Sequence, residues 1–166
     1  MIKYITIYGE RCSGTNYLEE LINANFDIII KWDYGWKHFF GVNDLTDSKD
    51  TLFIGIVRNP YTWINSFYRT PHHLPSQLKN IDSFLNDEFY SIHDDNIEIM
   101  NDRNIYTKER YKNIFDMRYT KIKFLTEDMY KLVDNYILIT YENLIEDFHN
   151  TLHKIKNKGL IIKKNM

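Results

Sequence analysis

Two short segments carry residue types and spacings that could do chemistry. The first is Gly9-Glu10-Arg11-Cys12-Ser13-Gly14-Thr15-Asn16. It has the glycine spacing of a nucleoside-triphosphate loop, G-x-x-x-x-G-K-[ST], in which the lysine reaches the β/γ-phosphates and the hydroxyl holds magnesium. Thr15 and Asn16 stand in those two places. The backbone N–H groups of such a loop, at a helix N-terminus, still bind an anion. The segment therefore suits a phosphorylated nucleotide whose chemistry needs neither that lysine nor magnesium. The second segment runs from Ile54 to Arg69 and holds Arg58, Asn59, Pro60 and, eight residues after the arginine, Ser66. A guanidinium offers a two-pronged fork to phosphate, and an added hydroxyl makes a phosphate-sized contact set. Taken alone, an arginine facing a carboxylate and a serine bonded back into its helix would explain the same pair.

Both segments need a scaffold that brings them together. Apolar strand-like runs at Ile2–Tyr8, Phe26–Lys31, Leu52–Val57 and Tyr136–Thr140 alternate with helical periodicity at Thr15–Ala24, Thr62–Arg69, Ile81–Asn86, Asn104–Tyr130, unbroken or in pieces, and Leu144–Lys156. This alternation is the mark of βαβ units and a mainly parallel sheet. The expected fold is α/β and P-loop-like: three layers, with a central sheet of four or five strands and helices on both faces. Both segments then sit at strand-to-helix turns, and ligands of open α/β sheets bind outside the carboxyl ends of the strands. Pro60 fits the first turn of the helix after Arg58.

Composition bounds the rest. A chain of 166 residues, 43% hydrophobic, can bury one sizeable core, so a single domain over residues 1–166 is expected. A net charge of -2 gives no broad basic footprint for nucleic acid. Cys12 is the lone cysteine, which excludes an intramolecular disulfide framework. The first expected strand begins at residue 2, leaving no room for a signal peptide or membrane anchor, so a cytoplasmic protein is expected. Residues Asp82–Asp102 hold seven acids and no Lys or Arg, and Lys154–Lys164 holds five lysines. Both read as solvated surface.

With these residues in view, the chain resembles the P-loop-like sulfotransferases that use 3′-phosphoadenosine-5′-phosphosulfate (PAPS). Their first loop, of the type [KR]-x(0–1)-S-G-T-[TN], is matched by Arg11-Cys12-Ser13-Gly14-Thr15-Asn16, and Arg58 with Ser66 is similar to their second motif. Gly35-Trp36-Lys37-His38-Phe39-Phe40 is similar to the element that supplies their catalytic histidine, and Ile139–Leu144 to a strand-end Y-E-[DN]-L element. The resemblance covers residues 2–70 closely and 104–150 loosely. Cys12 takes the place where vertebrate cytosolic members have lysine, with Arg11 one residue earlier.

The resemblance implies that Arg11, Cys12, Ser13, Gly14, Thr15 and Asn16 hold the 5′-phosphosulfate of PAPS, and that Arg58 and Ser66 hold its 3′-phosphate. Arg11 and Lys37 would stabilise charge on the leaving group, as sulfuryl transfer, like phosphoryl transfer, rests on positioning and electrostatics. His38 would be the general base toward a hydroxyl, or in second place an amine, of a small-molecule or carbohydrate acceptor, with no metal. At an ordinary pKa near ~6.5 it would be mostly neutral in the cytoplasm, with activity falling as it protonates. The competing readings are a nucleotide kinase, against which Thr15 and Asn16 count, and a non-catalytic nucleotide-binding module. His149 and His153, four apart on an expected helix, lack a third metal ligand at metal-site spacing. Tyr141 and Glu142 read as packing and helix-start residues.

Overall fold

Residues 2–8 form a near-continuous β-branched and aromatic run, as a strand buried on both faces requires. In the computed structural model, which describes residues 1–40 and 44–163, they form β1 (Tyr4–Gly9). The chain continues through α1 (Thr15–Asn25), the two-residue β2 (Ile29–Ile30), β3 (Thr51–Val57), α2 (Pro60–Arg69), α3 (Ile81–Asn86), α4 (Ile114–Lys123), α5 (Met129–Leu132), β4 (Tyr136–Thr140), α6 (Tyr141–Glu146) and α7 (Phe148–Lys156). The sheet has four strands in the order β2-β1-β3-β4, and every pair is parallel.

Strand alternation decides what each face covers. Ile5, Ile7, Leu52, Ile54 and Ile56 meet Leu18 and Ile22 of α1, Leu144 of α6 and Ile155 of α7 in one core. On the other face Tyr8, Phe53 and Tyr136 meet Phe40, Phe124, Leu125 and Met129. A third cluster, built on Trp63 and Phe67 of α2, Phe84 of α3 and Ile114 and Met117 of α4, supports the outer side of α2. The α/β fold with a parallel sheet and helices on both faces is thus the one the sequence predicts, with four strands. Among the described residues no helix is long and apolar enough to cross a membrane.

Three elements differ from their sequence-based expectation. The second strand shrinks from Phe26–Lys31 to Ile29–Ile30, because Phe26 instead makes an antiparallel bridge with Ile162. The expected helix from Asn104 starts only at Ile114, where Asn113 caps it by accepting from the Phe115 and Asp116 amides. Asn104 turns the preceding chain by accepting from the Tyr106 and Thr107 amides, and Tyr111 pairs with Phe89. Such side-chain bonds compete with helix. A π-helical turn, Phe124–Asp128, then separates α4 from α5. The helix expected over Leu144–Lys156 is two helices, parted at Asp147.

Parallel pairing aligns Gly9 with Ile56 and Val57 with Thr140. The carboxyl ends of β1, β3 and β4 therefore lie side by side, and the turns that leave them converge.

Candidate functional site

The loop after β1 is shaped by left-handed backbone. Cys12 has φ 62° and Gly14 φ 96°, a conformation that costs a non-glycine residue energy and clusters at functional sites. A Cβ on Gly14 would overlap the Tyr141 ring, lying 2.9 Å from its Cε2. Ser13 closes the turn: its amide and hydroxyl both donate to the Glu10 carbonyl, at 3.1 and 2.5 Å. Gly14 is the N-cap of α1, and no side chain caps that helix. First-turn amides and the positive end of the dipole thus face the loop.

Lys37 and His38 approach this loop from the segment after β2. Lys37 is 7% exposed; its Nζ donates to Asn16 Oδ1 at 2.7 Å and to Glu19 Oε1 at 2.8 Å. Two residues of α1 therefore hold the lysine at the helix's amino end, and Glu19 is a partner that sequence spacing did not single out. His38 Nδ1 lies 2.8 Å from the Gly9 carbonyl oxygen. A carbonyl only accepts, so Nδ1 carries the proton and the lone pair is on Nε2. Burial pushes the His38 pKa down to about 3; the Gly9 bond opposes this, while Arg11, Lys121 and Lys37 push it further down. The ordinary value near ~6.5 expected from the sequence does not hold at this site.

Arg58 leaves β3 toward the same loop. Its Nη1 donates to the Cys12 carbonyl at 3.0 Å, its Nε to Thr62 Oγ1 at 3.2 Å, and its guanidinium lies 4.4 Å from the Tyr141 ring centroid. Asn59 accepts from the Tyr61 and Thr62 amides, and with Pro60 it starts α2. Thr62, Ser66 and Thr70 follow at intervals of four and so share one helix face. Thr62 holds Arg58, and Thr70 Oγ1 lies 3.5 Å from Cys12 Sγ, which puts Ser66 on the stripe that borders the loop. Tyr141 and Glu142 do more than pack: Tyr141 covers Gly14 and Arg58, and Glu142 Oε1 accepts from the Asn59 amide at 2.9 Å.

Behind the loop lies a buried charge cluster that sequence spacing could not reveal. Arg11, 4% exposed, donates from Nη2 to Asp102 Oδ2 at 3.0 Å and from Nη1 to the His72 carbonyl at 3.1 Å. Trp63 Nε1 donates to the Arg11 carbonyl at 2.9 Å. Asp102, expected on a solvated face, is 2% exposed and also accepts from Lys121 Nζ and the Ser91 hydroxyl. Its acidic neighbours Asp82, Asp87, Asp94 and Asp95 are exposed. Burial raises the Asp102 pKa, but Lys121 and Arg11 outweigh it and hold the carboxyl below its usual range. Glu10 accepts from Arg118 at 2.6 Å, and Arg118 also donates to the Arg58 carbonyl at 2.6 Å. Burial pushes the Glu10 pKa up to about 7 against the pull of Arg118, Lys121 and Arg11.

Arg11, Cys12, Gly14, Thr15, Asn16, Lys37, His38 and Arg58 line one cleft of about 570 Å³, with Tyr17, Trp36, His72, His73 and Tyr141 completing its wall. Ser13 and Ser66 are not among the lining residues. The cleft wall holds three cationic side chains and no Asp or Glu among the described residues. No group of three or more His, Cys, Asp or Glu is arranged to hold a metal among them. The arrangement gathers three cationic side chains and uncapped helix amides beside a neutral imidazole.

No family model and no curated protein matches the chain. In structure it is similar to mouse sulfotransferase SULT7A1, whose crystal structure is a complex with PAP. The TM-score is 0.52 at 19% identity, and the match covers 98% of this chain and 61% of that one. The chain thus spans about three fifths of that protein's length. What the four parallel strands and their flanking helices share with it is architecture: the chain has the α/β fold of a sulfotransferase.

Proposed function

We propose that the protein transfers a sulfuryl group from PAPS to a hydroxyl, or in second place an amine, of a small-molecule or carbohydrate acceptor. The observation that carries this reading is that the base and the cradle meet at one strand end. His38 Nδ1 is bonded to the carbonyl of Gly9, the first residue of the loop, so Nε2 is the nitrogen left to accept a proton. The similarity to a structure that contains PAP supports the choice of nucleotide.

The residues present fit such a group. Gly14 takes a left-handed turn beneath the Tyr141 ring that a Cβ would overlap, and α1 opens uncapped beside it. The amides of Gly14–Asn16 would hold the 5′-phosphosulfate, and Arg58 with Ser66 the 3′-phosphate. When bound, PAPS supplies a sulfuryl group on a phosphate leaving group. His38 Nε2 takes the acceptor's proton as the new S–O bond forms and the old one breaks. Lys37 supplies positive charge near the loop. Arg11, spent on Asp102 and the His72 carbonyl, contributes from behind it, in a cluster where three cations, Arg11, Lys121 and Arg118, surround Asp102 and Glu10. Preorganised charge of this kind is effective because it need not reorganise during the reaction.

The test is a thermal shift with adenosine 3′,5′-bisphosphate (PAP), ATP and GTP, with and without magnesium, joined to transfer of labelled sulfate from PAPS to a panel of sugars and phenols. PAP should stabilise the fold without magnesium, by about 2.7 kcal/mol at ~100 times Kd. Equal stabilisation by magnesium-ATP would overturn the nucleotide assignment, and binding without transfer to any acceptor would leave a nucleotide-binding module.

A further inference from the structure

We infer that Asp102 is a positioning residue that, through Lys121 and Arg11, fixes the backbone of His38 and His72 in the wall of the cleft. This inference builds on the proposed function, because it gives His38 its orientation. Asp102 itself is not among the residues that line the cleft. Its two oxygens are used separately: Oδ2 accepts from Arg11 Nη2 and the Ser91 hydroxyl, and Oδ1 from Lys121 Nζ.

Each cation then has a donor to spare, and both spare donors end on cleft backbone. Lys121 Nζ donates to the His38 carbonyl at 2.8 Å, and Arg11 Nη1 to the His72 carbonyl at 3.1 Å. One carboxylate thus ties together α4, the loop after β1 and two wall segments that are 34 residues apart in sequence (72 − 38). A purely stabilising role explains this less well. Desolvating buried charges largely cancels their attraction, and apolar replacements often serve as well, whereas only a charged hub of fixed geometry can aim two donors at chosen carbonyls. Apolar rings surround it: the Lys121 ammonium lies 5.4 Å from the Phe40 centroid, and the Arg11 guanidinium 4.8 Å from that of Phe67.

The experiment uses the full chain labelled with ¹⁵N-histidine, and reads the His38 tautomer by NMR without ligand. In the wild type, His38 should be the Nδ1–H form that the Gly9 bond selects. In Asp102→Asn, it should drift toward the Nε2–H form that free imidazole favours. At equal folded concentration, kcat for sulfuryl transfer should fall about 10²-fold, as a misplacement near 1 Å can cost. Should Asp102→Asn fail to fold, Lys121→Met decides. It leaves Arg11 and Asp102 paired one to one and places an apolar chain among Phe40 and Tyr111, so it cuts the link to His38 alone. An unchanged tautomer in the folded variants overturns the positioning role even if the wild type transfers sulfate. A shifted tautomer in a protein that transfers nothing would uphold the geometry and reject the proposed function instead.

Discussion

His38 and Glu10 should pull stability in opposite directions as the protein is acidified, and this can be measured without any ligand. His38, with an ordinary pKa near ~6.5, is held at about 3 in the fold. Below ~6.5 the unfolded chain takes up a proton that the folded chain refuses, so stability present above that pH is lost as pH falls. Between pH 7 and 5 the loss is about 2 kcal/mol; the ring is half-buried, which makes this an upper value. Burial moves the Glu10 carboxyl from its ordinary value of 4.5 up to about 7. Its folded carboxyl is protonated where the unfolded one is ionised, so its contribution is full below 4.5 and lost as pH rises through 7. Over the same interval Glu10 therefore adds about 2 kcal/mol on acidification. The two nearly cancel in the wild type. Urea denaturation at pH 7 and pH 5 should show His38→Asn, which keeps a donor for the Gly9 carbonyl, gaining stability relative to wild type at the lower pH. Glu10→Gln should lose it. Variants whose pH dependence parallels the wild type within about 0.5 kcal/mol would refute the claim that these two groups are buried in opposed protonation states.

Because His38 stays neutral, turnover should show no decline between pH 8 and pH 5 attributable to this group, read from kcat at fixed saturation. Its replacement in His38→Ala should lower kcat by about 10²–10⁴-fold, with PAP affinity by titration calorimetry unchanged. Arg58→Ala should weaken PAP binding by about 2 kcal/mol, through loss of a charge-assisted contact. Unchanged affinity would move the 3′-phosphate elsewhere. Glu19→Gln should free Lys37 from its carboxylate partner and tighten PAP binding by about 1 kcal/mol, within the range of partly exposed ion pairs. Gly14→Ala should lower stability by about 2–4 kcal/mol in thermal denaturation, combining left-handed strain with overpacking against Tyr141. Tyr141→Ala in that background should recover the packing part alone.

The sequence by itself determined the units whose signals are local. The β-branched, aromatic run from Ile2 to Tyr8, a glycine able to take φ 96° at position 14 and the Asn59-Pro60 start of α2 are each specified within a few residues, and parallel order follows from the succession of strands and helices. The same locality put Arg58 and the loop on one edge. It could not say where each charge would be spent. Arg11 pairs with Asp102 across 91 positions, Arg118 with Glu10 across 108, and His38 takes its tautomer from Gly9, 29 residues away. Such pairings have no period in the chain. That Asp102 is buried rather than on the surface, that Lys37 is held by Asn16 and Glu19, and that His38 stays uncharged follow from the tertiary fold, which excludes water and leaves each buried group only the partners folded against it.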